Sequence, residues 1–372
     1  MKIAVIGDPH LGCTTYTNKR VSDFSRHFNL AINEALSRKA GVVLILGDVF
    51  DSSAYRRSID SFATCLSEIA PSLVKLKESG ISVFAIGGNH EYGRGRGGGE
   101  LRILSDLGII HFLDDETEEF NGLKITGVSW KSDPELFRQT LKEFGQPKAN
   151  SILLIHQFCE GSRLVPSFLT EVRRQDIRDW PAVFTGHHHQ YEDLGYAIAP
   201  GSLEVHKAEE VGQKGFVLYD SETRKHEFII LPPSRVIHYT EISGDGRSVE
   251  EFQEEIEKWI KSKASTGSLL VIKVSGSLAA GRSADVDWSH LRSIGYQAEC
   301  LKVHFEGGLR DQVRTAPEIR ATVNFQDFLK KRFGPKARLA IQYADSFREK
   351  GDGFSTEILD GILEEVGRGK RK

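Results

Sequence analysis

Val42-Val43-Leu44-Ile45-Leu46-Gly47-Asp48-Val49-Phe50-Asp51 sets an unbroken apolar run against an abrupt polar stop. A short run of branched residues without polar alternation reads as a strand buried on both faces, the kind that builds parallel α/β sheets. Its end leaves the Asp48 carboxylate at the strand terminus, with two oxygens free to bridge two cations. Asp51 has two readings: it orients neighbouring ligands, or it caps the segment that follows.

The same grammar recurs along the chain. Asp8-Pro9-His10 follows Lys2 to Ile6, Gly88-Asn89-His90-Glu91 follows Val83 to Ile86, His156-Gln157 follows Ser151 to Ile155, and Gly186-His187-His188-His189 follows Ala182 to Thr185. Taken singly, each has an ordinary explanation: a strand-end turn, a Gly-Asn pair that tolerates positive φ, a satisfied core histidine. Taken together, they gather hard oxygens and borderline imidazole nitrogens at strand ends, a donor set suited to divalent ions of the Mn, Fe or Zn kind. A pair of such ions is a standard device for phosphodiester cleavage. If the strands continue through the clusters, Asp8 and His10 leave on one face, as do His187 and His189, with His188 opposite, exposed or near substrate. His90, beside Asn89, points differently and is free to protonate a leaving oxygen or to stabilise charge on a phosphate.

Helical patterns at Phe24 to Arg38 and Ile59 to Glu78 alternate with the first apolar runs, an α/β rhythm. Later runs, Leu123 to Val128, Tyr196 to Ala199 and Phe216 to Tyr219 among them, lie closer together and suggest a second sheet. The expected architecture is an α/β four-layer sandwich of two mixed β-sheets flanked by helices, with ligands at the carboxyl ends of the strands. Leu231-Pro232-Pro233-Ser234 interrupts the pattern, so a first domain is expected over residues 1–233. Strand and helix patterns then predict a small α/β capping domain over 236–308. Residues 309–372 read as a helical tail, whose stripe Phe354, Ile358, Leu359, Ile362, Leu363 and Val366 either folds back or docks on a partner.

The 372 residues exceed one ordinary core, and 52 acidic against 49 basic residues leave a net charge of -3. No global field therefore marks nucleic-acid binding, and any DNA contact must come from a local patch. Arg56, Arg57, Arg94, Arg96 and Lys131 are expected close to the metal clusters and are the candidates, without aromatic interleaving to form a stacking platform. Cys13, Cys65, Cys159 and Cys300 form no CxxC pair, which argues against a structural zinc or a disulfide framework. No signal-type segment or bilayer-length apolar run is seen, so a soluble cytoplasmic protein without a membrane partner is expected.

The order DxH, GDxxD, GNHE, H and GHxH resembles the calcineurin-like metallophosphoesterase superfamily. Within it, Asp8-Pro9-His10-Leu11-Gly12, Gly47-Asp48-Val49-Phe50-Asp51, His156-Gln157 and Pro200-Gly201-Ser202 resemble the SbcD-type DNA double-strand-break repair nucleases, called meiotic-recombination-eleven proteins in archaea and eukaryotes. The resemblance covers the chain as far as Pro233 and the remainder only in layout. It implies two Mn2+ ions, one held by Asp8, His10, Asp48 and His189, the other by Asp48, Asn89, His156 and His187. It further implies that His90 assists departure of the 3′ oxygen in 3′ to 5′ exonuclease and single-strand endonuclease cleavage of DNA. A homodimer and an SMC-like coiled-coil ATPase partner of the SbcC type are implied as well. The chain departs from the pattern after GDxxD, where Ser52-Ser53-Ala54-Tyr55-Arg56-Arg57 lacks the usual proline. The rival readings are a metallophosphoesterase of a small substrate without an ATPase, and a non-catalytic scaffold. The scaffold should have lost ligands, and none is lost.

Overall fold

Apolar residues alternate between two destinations along β1 (Lys2–Ile6): Ile3 and Val5 enter one core, Ala4 and Ile6 another. Successive side chains of a strand point to opposite faces, so a strand without polar residues must be covered on both. The structure, a computed structural model, describes residues 1–51, 59–93, 97–210 and 212–310, with the backbone alone for 59–62.

β1 is followed in the first sheet by β2 (Val42–Ile45), β3 (Ser82–Ala85) and β4 (His111–Phe112), all parallel. The chain then builds a second sheet from β5 (Glu116–Phe120), β6 (Leu123–Val128), β7 (Ser151–Ile155), β8 (Ala182–Thr185), β9 (Glu192–Asp193) and β10 (Ile198–Ala199). It returns to the first as the antiparallel hairpin β11 (Lys214–Asp220) and β12 (Lys225–Leu231), with β11 antiparallel to β1. The orders are β12-β11-β1-β2-β3-β4 and β5-β6-β7-β8-β10-β9, so both six-stranded sheets are mixed.

Ile3, Val5, Leu44 and Phe84 of one sheet meet Ile125, Ile152, Leu154 and Phe184 of the other. On the far face of the first sheet lie α1 (Val21–Ser37), α2 (Ile59–Glu78) and α3 (Gly99–Asp106), through Phe28, Ile32, Ile69, Leu73 and Leu101. The far face of the second sheet is covered by α4 (Pro134–Glu143), through Phe137 and Leu141. These are the helix, sheet, sheet and helix layers of the expected sandwich.

A three-stranded parallel sheet follows, β13 (Ile237–Ser243), β14 (Leu269–Ser275) and β15 (Lys302–Gly307). α5 (Val249–Lys263) and α6 (Trp288–Gln297) share its apolar core. Ser248 caps α5 in a reciprocal box with Glu251, and Val249, Phe252, Ile256 and Ile260 form its buried stripe. The other face, at Ile237, Leu269 and Val271, packs on Val205 and Ala208 of the sandwich, within one compact unit, Met1–Gln312. The expected helical tail and its apolar stripe lie outside the described residues, as do Arg56, Arg57, Arg94 and Arg96. Among the described residues no helix is long and apolar enough to cross a membrane.

Candidate metal centre

Parallel register brings the strand ends level: Ile6 pairs with Ile45, Ile45 with Ala85, and Ile155 with Thr185. The polar clusters therefore leave both sheets at one edge, as ligand sites of α/β sheets do. The strands themselves stop first. Asp8 (φ 41°), His10 (φ 46°), Asp48 (φ 46°) and His187 (φ 72°) occupy the left-handed region, so these pairs share a site through loops and not through strand alternation. Such conformations cost about 1–3 kcal/mol each and persist where surrounding bonds over-determine them. Those bonds are present: His10 N–H donates to Asp48 O (2.9 Å), His187 N–H to Asp8 Oδ1 (2.9 Å) and His90 N–H to Asp48 Oδ1 (2.7 Å). Gly88 is required by close approach, since a Cβ there would stand 2.2 Å from Asp48 Oδ1. Glu91, buried, accepts from the N–H groups of Phe50 (2.9 Å) and Gly88 (2.8 Å), tying the second cluster to the third.

Among the described residues five overlapping groups of donor atoms lie within 4.8 Å; two of them, Asp8 with His10 and His189, and Asp48 with His156 and His187, match the expected ligand sets, and the others bring in His90, Asp51, His206 and Glu210. Asp48 stands between the two matching groups, its Oδ2 3.9 Å from His10 Nε2 and 3.5 Å from His156 Nε2. His10 Nε2 is 3.1 Å from His189 Nε2, and Asn89 Oδ1 is 3.1 Å from His156 Nε2. Donors at right angles around an ion with bonds of about 2.1 Å stand about 3 Å apart, so the spacing suits coordination. Asp8 Oδ2 is buried and has no hydrogen-bond partner among the described residues, which a cation would supply. The donor set fits divalent cations that accept nitrogen and oxygen together.

Electrostatics agree with a site built for positive charge. Burial pushes the Asp8 carboxyl up to about 6 against the pull of His156 and His189. Burial likewise lowers His10 to about 3 and His187 to about 2, so both rings are neutral at pH 7 and their lone pairs are available. For Asp48, burial acts upward, but His156, His90 and His10 hold its carboxyl well below the ordinary range. Burial pulls His156 down, but the Asp48 charge and bond, the Asp8 charge and the Leu46 carbonyl together raise it to about 10. Its Nδ1 donates to Leu46 O (2.6 Å), which turns Nε2 toward Asp48 and Asn89.

His90 borders the same cleft, its side chain 19% exposed, with Nδ1 3.4 Å from Asp51 Oδ2. Burial lowers its pKa, against the charges of Asp48 and Asp51. Asp51 also lies 3.4 Å from His10 Nδ1 and 3.2 Å from His206 Nε2, the geometry of an orienting carboxylate, while the segment it would cap lies outside the described residues. His206 stacks on His10 at 4.4 Å and 23°. It stands in no strand-end cluster, and its only signal in the sequence is the nearby Pro200-Gly201-Ser202. Glu210 stands in no such cluster either.

His188 is not exposed. It is 2% accessible and its Nε2 accepts from Cys159 N–H (3.1 Å), because the segment after His156 folds over it. Lys131 pairs with Asp115 and is largely buried, so its charge is already matched within the fold.

Carboxylates and imidazoles gathered at the strand ends of two mixed sheets, with Asp48 between two of the donor groups, fit a metal-dependent phosphoesterase. The chain belongs to the calcineurin-like phosphoesterase family, whose pattern residues 1–191 match. It is similar to the DNA double-strand break repair protein Mre11 of Archaeoglobus fulgidus, with 26% identity over 320 residues, 74% of this chain and 69% of that one. Against the Mre11 of Methanosarcina mazei it is 25% identical over 74% of this chain and 49% of that one, about half of the relative's length. With the Mre11 of Methanocaldococcus jannaschii it shares 31% identity over 42% of this chain and 43% of that one. Among solved structures it is similar to a Thermus thermophilus protein (TM-score 0.40, 13% identity, 61% of this chain and 96% of that one). A dimetal phosphatase from Danio rerio has a TM-score of 0.39 at 11% identity, over 59% of this chain and 91% of that one. Likeness at this level bears on neither substrate nor chemistry.

Proposed function

We propose that this chain is a Mn-dependent DNA nuclease, a 3′ to 5′ exonuclease and single-strand endonuclease acting in double-strand-break repair. The observation that carries the reading is the pair of donor groups meeting at Asp48, in a chain whose relatives bear the name of a DNA double-strand break repair protein. Asp8, His10, Asp48 and His189 would hold one ion, and Asp48, Asn89, His156 and His187 the other. Two such ions, when bound, neutralise phosphoryl oxygens and lower the pKa of water.

The protein's own part is orientation and proton transfer. Leu46 O and Glu210 Oε1 accept from the Nδ1 atoms of His156 and His189, so both rings turn Nε2 inward. Asp51 Oδ2, 3.4 Å from His90 Nδ1, orients the ring so that Nε2, 3.8 Å from Asp48 Oδ2, faces the donor atoms, where it would assist departure of the 3′ oxygen. Residues 1–233 form the nuclease domain of this reading, 236–308 a capping domain, and 309–372 a segment that docks an SMC-like coiled-coil ATPase, in a cytoplasmic homodimer.

End-labelled duplex DNA with Mn2+, with and without chelator, tests the proposal. Cleavage should vanish with chelator and return with Mn2+. Hydrolysis of a chromogenic diester by a protein that leaves DNA intact would favour the small-substrate phosphoesterase instead.

A further inference from the structure

We infer that the metal centre adjoins a nucleobase subsite, in which an unpaired base of the substrate lies against an apolar wall. The inference rests on the nuclease reading and deepens it by specifying the state of the DNA that enters.

The cleft over the donor atoms measures about 510 Å³, within the roughly 300–1,000 Å³ typical of small-molecule sites. Its lining changes character along one segment. Phe158, Leu164, Val165, Pro166 and Leu169 line the same cleft as Asp48, Asn89, His187 and His189. The apolar lining begins at the metal centre itself, since the Phe158 ring lies 3.8 Å, centroid to centroid, from that of His187. Leu164 and Leu169 are 47% and 45% exposed, and neighbouring Phe168 is 83% exposed.

This segment is tied down at several points. Phe158 N–H donates to Glu171 Oε2 (2.7 Å), Cys159 bridges to Val172, and Ser162 Oγ donates to Glu192 Oε2 (2.6 Å). Arg163 N–H donates to the other oxygen of Glu192 (2.8 Å). Apolar side chains are thus held at the surface beside a charged centre by polar bonds, two of them partly buried and one exposed. This apolar side of a charged cleft is the kind of lining that a partly apolar ligand would meet.

The ligand must be anionic where it meets the donor atoms and flat and apolar where it meets the wall. A nucleotide has both properties in one covalent unit. A paired base inside a duplex has its faces already covered by stacking, so the wall serves only a base that has left the stack. The aliphatic and aromatic side chains of the wall contact base faces and not edges, which makes the subsite tolerant of sequence. Lys207, exposed, lines the same cleft and supplies a cation for a neighbouring phosphate.

The test compares the binding of thymidine 5′-monophosphate and methyl phosphate by isothermal titration calorimetry, on the full chain with Mn2+ present. The wild type should bind the nucleotide about tenfold or more tightly than methyl phosphate. In the double variant Leu164→Ser, Leu169→Ser that ratio should fall toward one. Both side chains are half-exposed, so an unchanged thermal midpoint checks that the fold is kept. Equal binding by the wild type, or an unchanged ratio in the variant, would overturn the subsite, the latter leaving the wall to a protein segment. DNA cleavage without any preference for the nucleotide would remove the subsite and spare the nuclease reading. A nucleotide preference in a protein that cuts no DNA would do the reverse.

Discussion

Glu210 Oε1 lies 3.0 Å from His189 Nδ1, close enough that the imidazole N–H donates to the carboxylate and Nε2 is turned toward His10. Burial pushes the Glu210 carboxyl up, but the His189 bond together with the charges of His189, Lys214 and His206 lowers it to about 2. A carboxylate behind a ligating histidine fixes its tautomer and raises its basicity. Glu210→Ala should weaken Mn2+ binding about 10–100-fold, and Glu210→Gln, which can still accept from Nδ1, should lose less. Metal titration of the two variants measures this, and equal affinities in both and in wild type would exclude the role.

Asp48 lies between the two donor groups, whereas Asp51 contacts histidine rings at their outer nitrogens. Asp48→Ala should abolish nuclease activity and strip bound metal, while Asp51→Ala should retain more of it and lose turnover through misaligned rings. Mass spectrometry of metal content distinguishes them. Full occupancy of both sites in Asp48→Ala would end the bridging assignment.

His90 and His188 should separate cleanly. His90→Ala is expected to keep Mn2+ and DNA affinity but to lose about 10²-fold or more in turnover. His188→Ala should retain metal and show its effect on stability. It removes the acceptor of Cys159 N–H, and an orphaned buried donor costs about 1–3 kcal/mol. A lowered thermal midpoint with normal metal content is the expected signature.

Acid stability should respond to Glu204, which is buried with its Oε2 2.9 Å from His27 Nδ1 and its Oε1 4.0 Å from Arg20 Nη2. Burial raises its pKa, but the His27 bond and the charges of His27 and Arg20 prevail and leave it below the ordinary 4.5. A depressed carboxyl contributes stability in full above its unfolded pKa, and that contribution is lost as pH falls below about 4.5 through the folded value. Glu204→Gln should therefore be less stable at pH 7 and lose less on acidification. Denaturant midpoints between pH 7 and pH 3 check this, and parallel curves would refute it.

Much of the centre was legible in the chain because its signals are local. An apolar run, a glycine and a polar stop are neighbours in sequence, and they mark a strand end wherever the strand lies. Asp8, His10, Asp48, Asn89, His156, His187 and His189 all stand in such places, and parallel register brings those places to one edge. The same local signals failed for β5, Glu116–Phe120, an edge strand whose Glu-Thr-Glu-Glu run faces water and lacks the apolar pattern of a buried strand.

Contacts between distant residues were decided by the tertiary structure alone. Asp51 meets His206 across a sequence separation of 155, and Glu210 meets His189 from a loop that packs under the third sheet through Val205 and Ala208. Neither contact has a period or a punctuation mark that announces it. The burial of His188 and the exposure of Leu164 and Leu169 beside the metal centre belong to the same class, since both follow from where one loop comes to rest. Sequence by itself determined which residues end the strands and what chemistry they carry. Only packing decided which side chains stand behind them, because hydrogen bonds and ring contacts at long separation exist once the sheets, and the loops between them, have closed on one another.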